Sequence, residues 1–289
     1  GSGSSVSDLT GNGNEGVLYG AEWSNDFPSD NYAMEMNAES VDYIELGNFG
    51  YSFVNTFAIM GWAYIDERFE TLDGQRTFVQ HNDNGDNKRI WIGSYQSKYG
   101  FMLRTDQNSN ITYNDHNGGL ALSETALTEG WHHIAAVFTS DEMQLYIDGV
   151  LDPNVVEFDS PALVTEFDGS AWHFSELYGG AGATNGRVDE FSFWAGSLTI
   201  NEISEYINNS LVGNESGLQA YYNFNEGSGN LLIDISGNGH DGTVYNGGWS
   251  SGAPGINSSN EDGDGGHTFF TPGEDLLNNP DVGRLFLGG

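Results

Sequence analysis

The chain has 289 residues, with 42 Asp or Glu against 8 Lys or Arg and a formal net charge of −34. This acidity excludes nucleic acid as a partner, because nucleic-acid recognition needs basic patches, and no apolar run reaches the ~20 residues of a membrane span, so we expect no membrane insertion. The 41 glycines and 13% aromatic residues favour short strands joined by tight turns, and the lack of cysteine excludes disulfides and thiolate metal sites.

Strand signals dominate the middle of the chain. Asp148-Gly149, set between two apolar runs, predicts a two-residue hairpin, because glycine accepts the positive φ of a type I′ turn. Residues 218–224 alternate between apolar and polar side chains, which is typical of a half-buried strand. The other predicted strands cover 41–46, 57–65, 77–80, 89–95, 100–104, 131–138, 143–147 and 187–194.

One helix is predicted, over residues 200–208. Thr199 and Glu202 have the spacing of a capping box, in which each residue satisfies a backbone N–H of the other. Ile200, Ile203 and Ile207 fall on one face of that helix, as in an amphipathic helix.

An internal repeat joins the two ends of the chain. Residues 1–25 align with residues 227–251 without gaps, and 11 of the 25 positions are identical. Only the second copy follows the alternating segment 218–224. Two closures are therefore open: this segment folds back within its own chain, or it adds to the sheet edge of the next subunit and gives a head-to-tail filament.

Three stretches resemble the laminin-G-like jelly-roll domains of bacterial extracellular proteins, which share the concanavalin A-like fold. They are the strand pair in 130–150, the strand and helix in 186–206, and the Tyr221–Thr243 stretch with its Asp-x-Ser-Gly-Asn-Gly loop. The resemblance covers most of residues 1–250 and implies an all-β fold: two antiparallel sheets in a jelly-roll sandwich, with one short helix near the C-terminal end of the core. Residues 251–289 are predicted as a Gly/Asp/Asn-rich linker or C-terminal extension.

The resemblance also implies a structural Ca²⁺ ion, and the repeated loops suggest where it binds. Asp8 with Asn12, and Asp234 with Asn238, supply the carboxylate and amide oxygens that Ca²⁺ prefers. In the family, the acid at the position of Asp189 often lies near such a loop. The alternative is an Asx-turn that needs no ion, just as the high charge alternatively reflects a solvated acidic surface. Two further candidate ligands are Asp83 and Asp86, in a loop for which a plain polar hairpin without an ion is the favoured alternative.

Aromatic residues in or beside loops are candidates for stacking on sugar rings. They are Tyr95, Tyr99, Tyr113, Trp172 and Tyr178, and the sequence does not choose among them. Catalytic motifs are absent: no strand carries the Glu-x-Asp-x-x-Glu pattern of laminarinase-type enzymes, and no nucleophile elbow, zinc-protease motif or phosphate-binding loop occurs. We therefore predict a protein without enzymatic activity.

The sequence leaves two functional hypotheses. The first is a secreted or cell-surface, calcium-dependent binding or adhesion module that recognises a glycan or an extracellular protein. The second is a structural repeat or filament subunit that assembles through shared strands. A glycoside hydrolase or lyase on the same fold is the less favoured third possibility, since fold alone does not determine function.

Overall fold

The computed structural model describes residues 5–6, 16–17, 31–37, 40–47, 49, 56–65, 75–82, 89–104, 119–139, 141–157, 171–175, 185–251 and 253–254. The chain divides into two units, Gly1–Asp30 and Asn31–Gly289. In the first unit, β1 and β2 form an antiparallel two-stranded hairpin. The boundary at residue 250 that the sequence suggested stays a prediction. The strands are β1 Ser5–Val6, β2 Gly16–Val17, β3 Tyr32–Met36, β4 Tyr43–Glu45, β5 Phe57–Ile65, β6 Arg76–Asn82, β7 Arg89–Tyr95, β8 Lys98–Arg104, β9 Leu120–Ala126, β10 Gly130–Phe138, β11 Glu142–Ile147, β12 Val150–Leu151, β13 Val156–Glu157, β14 Trp172–Phe174, β15 Gly186–Ala195, β16 Leu218–Tyr222, β17 Leu231–Leu232, β18 Gly242–Tyr245 and β19 Gly248–Ser251.

The second unit is a sandwich of two antiparallel sheets, which confirms the predicted all-β fold. Sheet I has the strand order β12-β11-β10-β5-β15-β3-β19, with β13 also paired to β11 and β16 to β15. Sheet II has the order β17-β18-β4-β14-β6-β7-β8-β9. Both orders place strands that are distant in sequence side by side, so the fold depends on long-range pairing.

The core between the sheets is filled by large apolar side chains from both layers. Phe174 of sheet II meets Phe191 of sheet I edge to face, with ring centroids 5.0 Å apart. Phe57 and Phe101 make a similar contact at 6.0 Å. All four rings are at most 1% exposed. Burial of such rings supplies most of the driving force that holds the two layers together.

One α-helix occurs in the described residues, α1, Ile200–Asn208, at the predicted position. Its capping box forms as expected: the Glu202 backbone N–H donates to Thr199 Oγ1, and the Thr199 N–H donates to Glu202 Oε2. Ile203 is fully buried, and the Tyr206 ring stacks on Trp194 of β15 at 5.1 Å. The helix therefore covers the outer face of sheet I.

The hairpin at Asp148-Gly149 is also confirmed, with φ of +51° and +78° at its two central residues. The segment predicted as a strand over 218–224 forms β16 and pairs antiparallel with β15 of the same chain. Of the two closures considered from the sequence, this pairing is the one in which the segment folds back within its own chain.

The backbone at Gly93 in β7 leaves no room for a side chain, and this makes a test of the sheet II packing. A Cβ there would lie 1.9 Å from the carbonyl oxygen of Arg76 on the neighbouring strand. We expect Gly93→Ala to lower the free energy of unfolding by about 2–3 kcal/mol, because a paired backbone oxygen cannot move aside as a flexible side chain can. The control is Gly248→Ala, whose Cβ meets nothing within 4 Å. Urea unfolding of both variants checks this, and equal effects would contradict it.

Candidate functional site

The loop that follows Asp234 is closed by hydrogen bonds from the chain itself. Asp234 Oδ1 accepts from the backbone N–H groups of Tyr221 and Ser236 and from the Ser236 hydroxyl, and Oδ2 accepts from the His240 N–H. The Asn238 amide donates to the Gln219 carbonyl of β16. Four donors thus bind the Asp234 carboxylate, three on Oδ1 and one on Oδ2, which is the arrangement of an Asx-turn, and its role as a calcium ligand stays a prediction.

A different set of carboxylates lies buried nearby, around a bulge in β15. Asp189 is fully buried; its Oδ1 accepts from the Glu190 N–H, and its Oδ2 has no hydrogen-bond partner. Glu226 resembles it, since Oε1 accepts from the Ile233 N–H next to Asp234, and Oε2 is buried without a partner. Glu226 therefore bonds to the residue that precedes Asp234, and its charge also acts on Asp189.

Burial raises the pKa of these acids. The pKa of Asp189 lies well above its usual value because of desolvation and the neighbouring Glu190 and Glu226 carboxylates. Desolvation raises the pKa of Glu190 to about 8, although hydrogen bonds from Tyr221 and Ser210 oppose the shift. The pKa of Glu226 is also raised, again mainly by desolvation. Burial thus favours the protonated form of each of the three acids.

The predicted calcium ligands therefore separate into two groups. Asp189 and Glu226 each have a buried oxygen without a hydrogen-bond partner, which fits a hard cation by its chemistry, whereas both oxygens of Asp234 accept hydrogen bonds from the chain. No group of three or more His, Asp or Glu side chains in the described part of the chain is placed to hold a metal ion. Asp8, Asn12, Asp83 and Asp86 lie outside the described residues. Glu226 was missed from sequence, although it directly precedes the repeat at Gly227.

The aromatic candidates take positions different from those expected. Tyr99 and Trp172 are each 1% exposed and belong to the core, so the prediction that their rings lie exposed is wrong. Both residues lie in strands, and the alternation of side chains along each strand turns their rings toward the core. Tyr95 is half-buried against a small apolar cluster that includes Trp91 and Met102. Tyr113 and Tyr178 lie outside the described residues.

An aromatic and polar surface instead occupies the outer face of sheet II, on β18, β4, β14, β6 and β7. Tyr245 is 39% exposed and stacks on Tyr43, with ring centroids 4.6 Å apart and planes 11° from parallel. His173 lies next to them, and its Nε2 is 3.9 Å from Glu45 Oε2. We call this surface the tyrosine face. Cross-strand pairing aligns its central row, in the order Thr243, Glu45, His173, Gln80, Trp91.

The polar groups of the tyrosine face are held in place by neighbours. Arg89 Nη2 donates to Gln80 Oε1 at 2.5 Å, and Gln80 Nε2 donates to the Ser175 carbonyl. The Trp91 indole donates to Thr77 Oγ1. The face thus carries one stacked aromatic pair, a fixed amide and guanidinium, and a histidine–carboxylate pair. Such a combination suits a ligand with both apolar ring faces and hydroxyl groups.

Comparison with known families assigns the fold. The profile of the Laminin_G_3 family, described as the concanavalin A-like lectin/glucanases superfamily, matches residues 39–204. The chain belongs to this family. The match ends within α1, so β16–β19 lie beyond it.

Several solved structures are similar to this chain. A candidate carbohydrate-binding protein from Bacteroides ovatus has 16% identity and a TM-score of 0.52, over 76% of this chain and 59% of that chain. The chain thus spans less than two thirds of that protein. A heptameric pentraxin from Limulus polyphemus has 12% identity and a TM-score of 0.43, over 61% of this chain and 82% of the pentraxin chain. Domains LG4–5 of the mouse laminin α1 chain have 10% identity and a TM-score of 0.41, over 64% of this chain and 48% of theirs. Among curated proteins the comparison finds no match.

Among the described helices, none is long and apolar enough to cross a membrane.

The raised pKa of Glu190 generates a pH-dependent stability that can be measured. The folded-state pKa of about 8 exceeds the ordinary value of 4.5. The contribution of Glu190 to the free energy of unfolding is therefore fully present below pH 4.5 and is lost as pH rises through 8. We expect Glu190→Gln, with calcium chelated, to raise the free energy of unfolding at pH 8.5 by roughly 2–4 kcal/mol relative to its effect at pH 4.5. The control is Glu205→Gln on the exposed side of α1. Chemical unfolding across this pH range checks the slope, and parallel curves for wild type and Glu190→Gln would refute the assignment.

Proposed function

We propose that the chain is a non-catalytic carbohydrate-binding module that binds glycans across the tyrosine face. The observation that carries the proposal is the Tyr43–Tyr245 stack, whose Tyr245 ring is 39% exposed, on the outer face of sheet II beside the Glu45 side chain, which is 47% exposed. A sugar ring presents apolar C–H faces to an aromatic ring and hydroxyls to polar neighbours, so both features have a role. The description of the Bacteroides ovatus protein as carbohydrate-binding and the lectin-like family support the same reading.

Binding without hydrolysis fits the composition of this face. Hydrolysis of a glycosidic bond by the common mechanism needs two carboxylates on either side of the bond. The central row of the tyrosine face carries one, Glu45, whose side chain is 47% exposed. The acids with raised pKa, Asp189 and Glu190, belong to sheet I instead and are buried.

The family match supports a proposal for the location of the protein. Domains of the laminin-G type act outside the cell or at its surface, and we propose the same for this chain, with glycan or extracellular protein as partner. An excess of 34 negative charges disfavours sulfated or uronic-acid polymers as ligands, since like charges repel. Neutral polysaccharides are therefore the ligand class to test first.

The ring stack gives the sharpest test of this function. We expect Tyr245→Ala and Tyr43→Ala each to weaken binding of a neutral polysaccharide about tenfold, because each removes a stacking partner worth about 1 kcal/mol or more. Tyr206→Ala, which removes a ring stacked on Trp194 on the opposite side of the sandwich, is the matched control. Affinity electrophoresis on a panel of neutral polysaccharides measures the loss. The proposal fails if the wild type binds none of them, or if Tyr206→Ala weakens binding as much.

We also propose that calcium binds at the buried oxygens of Asp189 and Glu226. A ligand that binds only the folded state stabilises it, by about 2.7 kcal/mol at a hundredfold excess over the dissociation constant. Chelation should then lower the melting temperature of the wild type and leave that of Glu226→Gln unchanged. Asn238→Ala, a change in the Asp234 loop, should keep the full response. If instead Asn238→Ala abolishes the response and Glu226→Gln keeps it, the ion belongs to the loop; no response in the wild type would dismiss calcium altogether.

A further inference from the structure

Three side chains around the start of β10 form a chain of hydrogen bonds, apart from the buried acids of β15 and from the tyrosine face. Thr128 Oγ1 lies 2.9 Å from His132 Nε2, and His132 Nδ1 lies 2.9 Å from Asp148 Oδ2. A hydroxyl, an imidazole and a carboxylate are thus connected through the two opposite nitrogens of one ring. A hydroxyl nucleophile, the base that activates it and the group that orients the base are arranged in this order.

The backbone holds the Asp148 carboxylate in front of the imidazole. Asp148 is the first central residue of the hairpin between β11 and β12, with φ of +51°. Its N–H donates to the His133 carbonyl, and the His133 N–H donates back to Asp148 Oδ1. The backbone of β10 therefore fixes one carboxylate oxygen, and the other, Oδ2, faces the His132 ring.

Gly130 allows Thr128 to reach the other side of the same ring. Thr128 lies in the connection between β9 and β10, and His132 follows four residues later in β10. A straight strand would place the Cα atoms of two such residues about 13 Å apart. Gly130 lies between them with φ of +120°, a conformation that favours glycine, so the chain is not straight there.

The hydrogen-bond partners determine which nitrogen of His132 carries the hydrogen. A carboxylate only accepts, so Nδ1 donates its N–H to Asp148. In the neutral ring Nε2 then has a free lone pair, and the Thr128 hydroxyl donates to it. The imidazole is therefore placed to take the Thr128 proton when the oxygen attacks an electrophile.

The hydroxyl is open to solvent, whereas the imidazole is sheltered. Thr128 is exposed, and the side chain of His132 is only 16% exposed. The His132 ring meets the buried Tyr99 ring edge to face, with ring centroids 5.8 Å apart. A reactant in solution can therefore reach Thr128 Oγ1 while Tyr99 and Asp148 hold the base in place.

We propose that Thr128 is a modification site of this protein: its hydroxyl, activated by His132, takes up one acyl group from an activated ester. Thr128 Oγ1 attacks the ester carbonyl carbon, and its proton passes to His132 Nε2. The bond from that carbon to the leaving alcohol then breaks, and the alcohol takes the proton from His132. The products are an ester at Thr128 and a free alcohol. His132 acts as general base, and Asp148 is a positioning residue.

The acyl group stays on Thr128 because the new ester is less reactive than its donor. A threonine alkoxide is a much poorer leaving group than the phenolate of an aryl ester, and the branched Cβ of threonine crowds the new bond. The reaction therefore modifies the protein once, without turnover, and agrees with a module that is not an enzyme. It uses no residue of the tyrosine face, so it does not depend on glycan binding.

An aryl ester, p-nitrophenyl acetate, is the probe that tests this proposal on the full-length chain. Peptide mass spectrometry over a time course measures the acetyl group on each residue. We expect an acetyl group on Thr128, which Thr128→Ser retains and Thr128→Val loses. His132→Gln should slow this acetylation about a hundredfold, because a positioned general base contributes about 10²–10⁴-fold.

Asp148→Asn separates positioning from folding. The side-chain oxygen of asparagine can still accept the His133 N–H, and asparagine tolerates a positive φ, so the hairpin should keep its melting temperature. Its amide group cannot hold His132 in the same tautomer as reliably as a carboxylate does. We therefore expect slower acetylation of Thr128 at an unchanged melting temperature.

The matched control within the same chain is Thr125, another exposed threonine. Its N–H donates to Asp152 Oδ2, and its side chain also bonds to that carboxylate. Its acetylation should be far slower than that of Thr128 and the same in His132→Gln. Any of three results would overturn the proposal: wild-type Thr128 gains no acetyl group, Thr125 gains it as fast, or His132→Gln keeps the wild-type rate. Undiminished release of p-nitrophenol by Thr128→Val would also overturn it, since the imidazole would then be the nucleophile.

Discussion

The sandwich depends on the bulge at Asp189-Glu190 in the middle of β15. On one side β15 pairs with β5 along its whole length, and the register shifts at this bulge. On the other side the partner changes there, from β3 before the bulge to β16 after it. Glu190 itself has φ of +52°, an uncommon conformation for a residue with a side chain. At the bulge, β15 therefore ends its pairing with β3 and begins its pairing with β16.

This backbone geometry explains why two consecutive acids are buried. Successive side chains of a regular strand point to opposite faces, but a bulge re-aims one of them. Both Asp189 and Glu190 are buried, the second with a hydrogen bond from the Tyr221 hydroxyl of β16. A buried carboxylate is costly unless it is protonated, hydrogen-bonded or bound to a cation. The bulge thus combines an uncommon backbone conformation, two buried acids and raised carboxyl pKa values, and such a combination often marks a functional or ion-binding site.

The sequence predicted local features well and long-range ones poorly. The capping box at Thr199 and Glu202 and the turn at Asp148-Gly149 involve residues within four positions of each other, so spacing alone specifies them. The Tyr43–Tyr245 stack joins residues some two hundred positions apart, and only the pairing of β18 with β4 brings them together. Trp172 was expected in or beside a loop. In the structure it belongs to β14, which lies between β4 and β6 in sheet II, and its side chain is buried. Alternation locates a strand, but it does not say which strand lies next to it.

The second copy of the repeat connects the stability of this domain with its proposed binding surface. β18 lies in that copy and pairs with β4 of sheet II, and its Tyr245 stacks on Tyr43. The strand that extends sheet II beyond β4 therefore also supplies one ring of the stack on the tyrosine face. Because the stack exists only while β18 is paired with β4, a ligand that stacks on Tyr245 would stabilise that pairing by mass action.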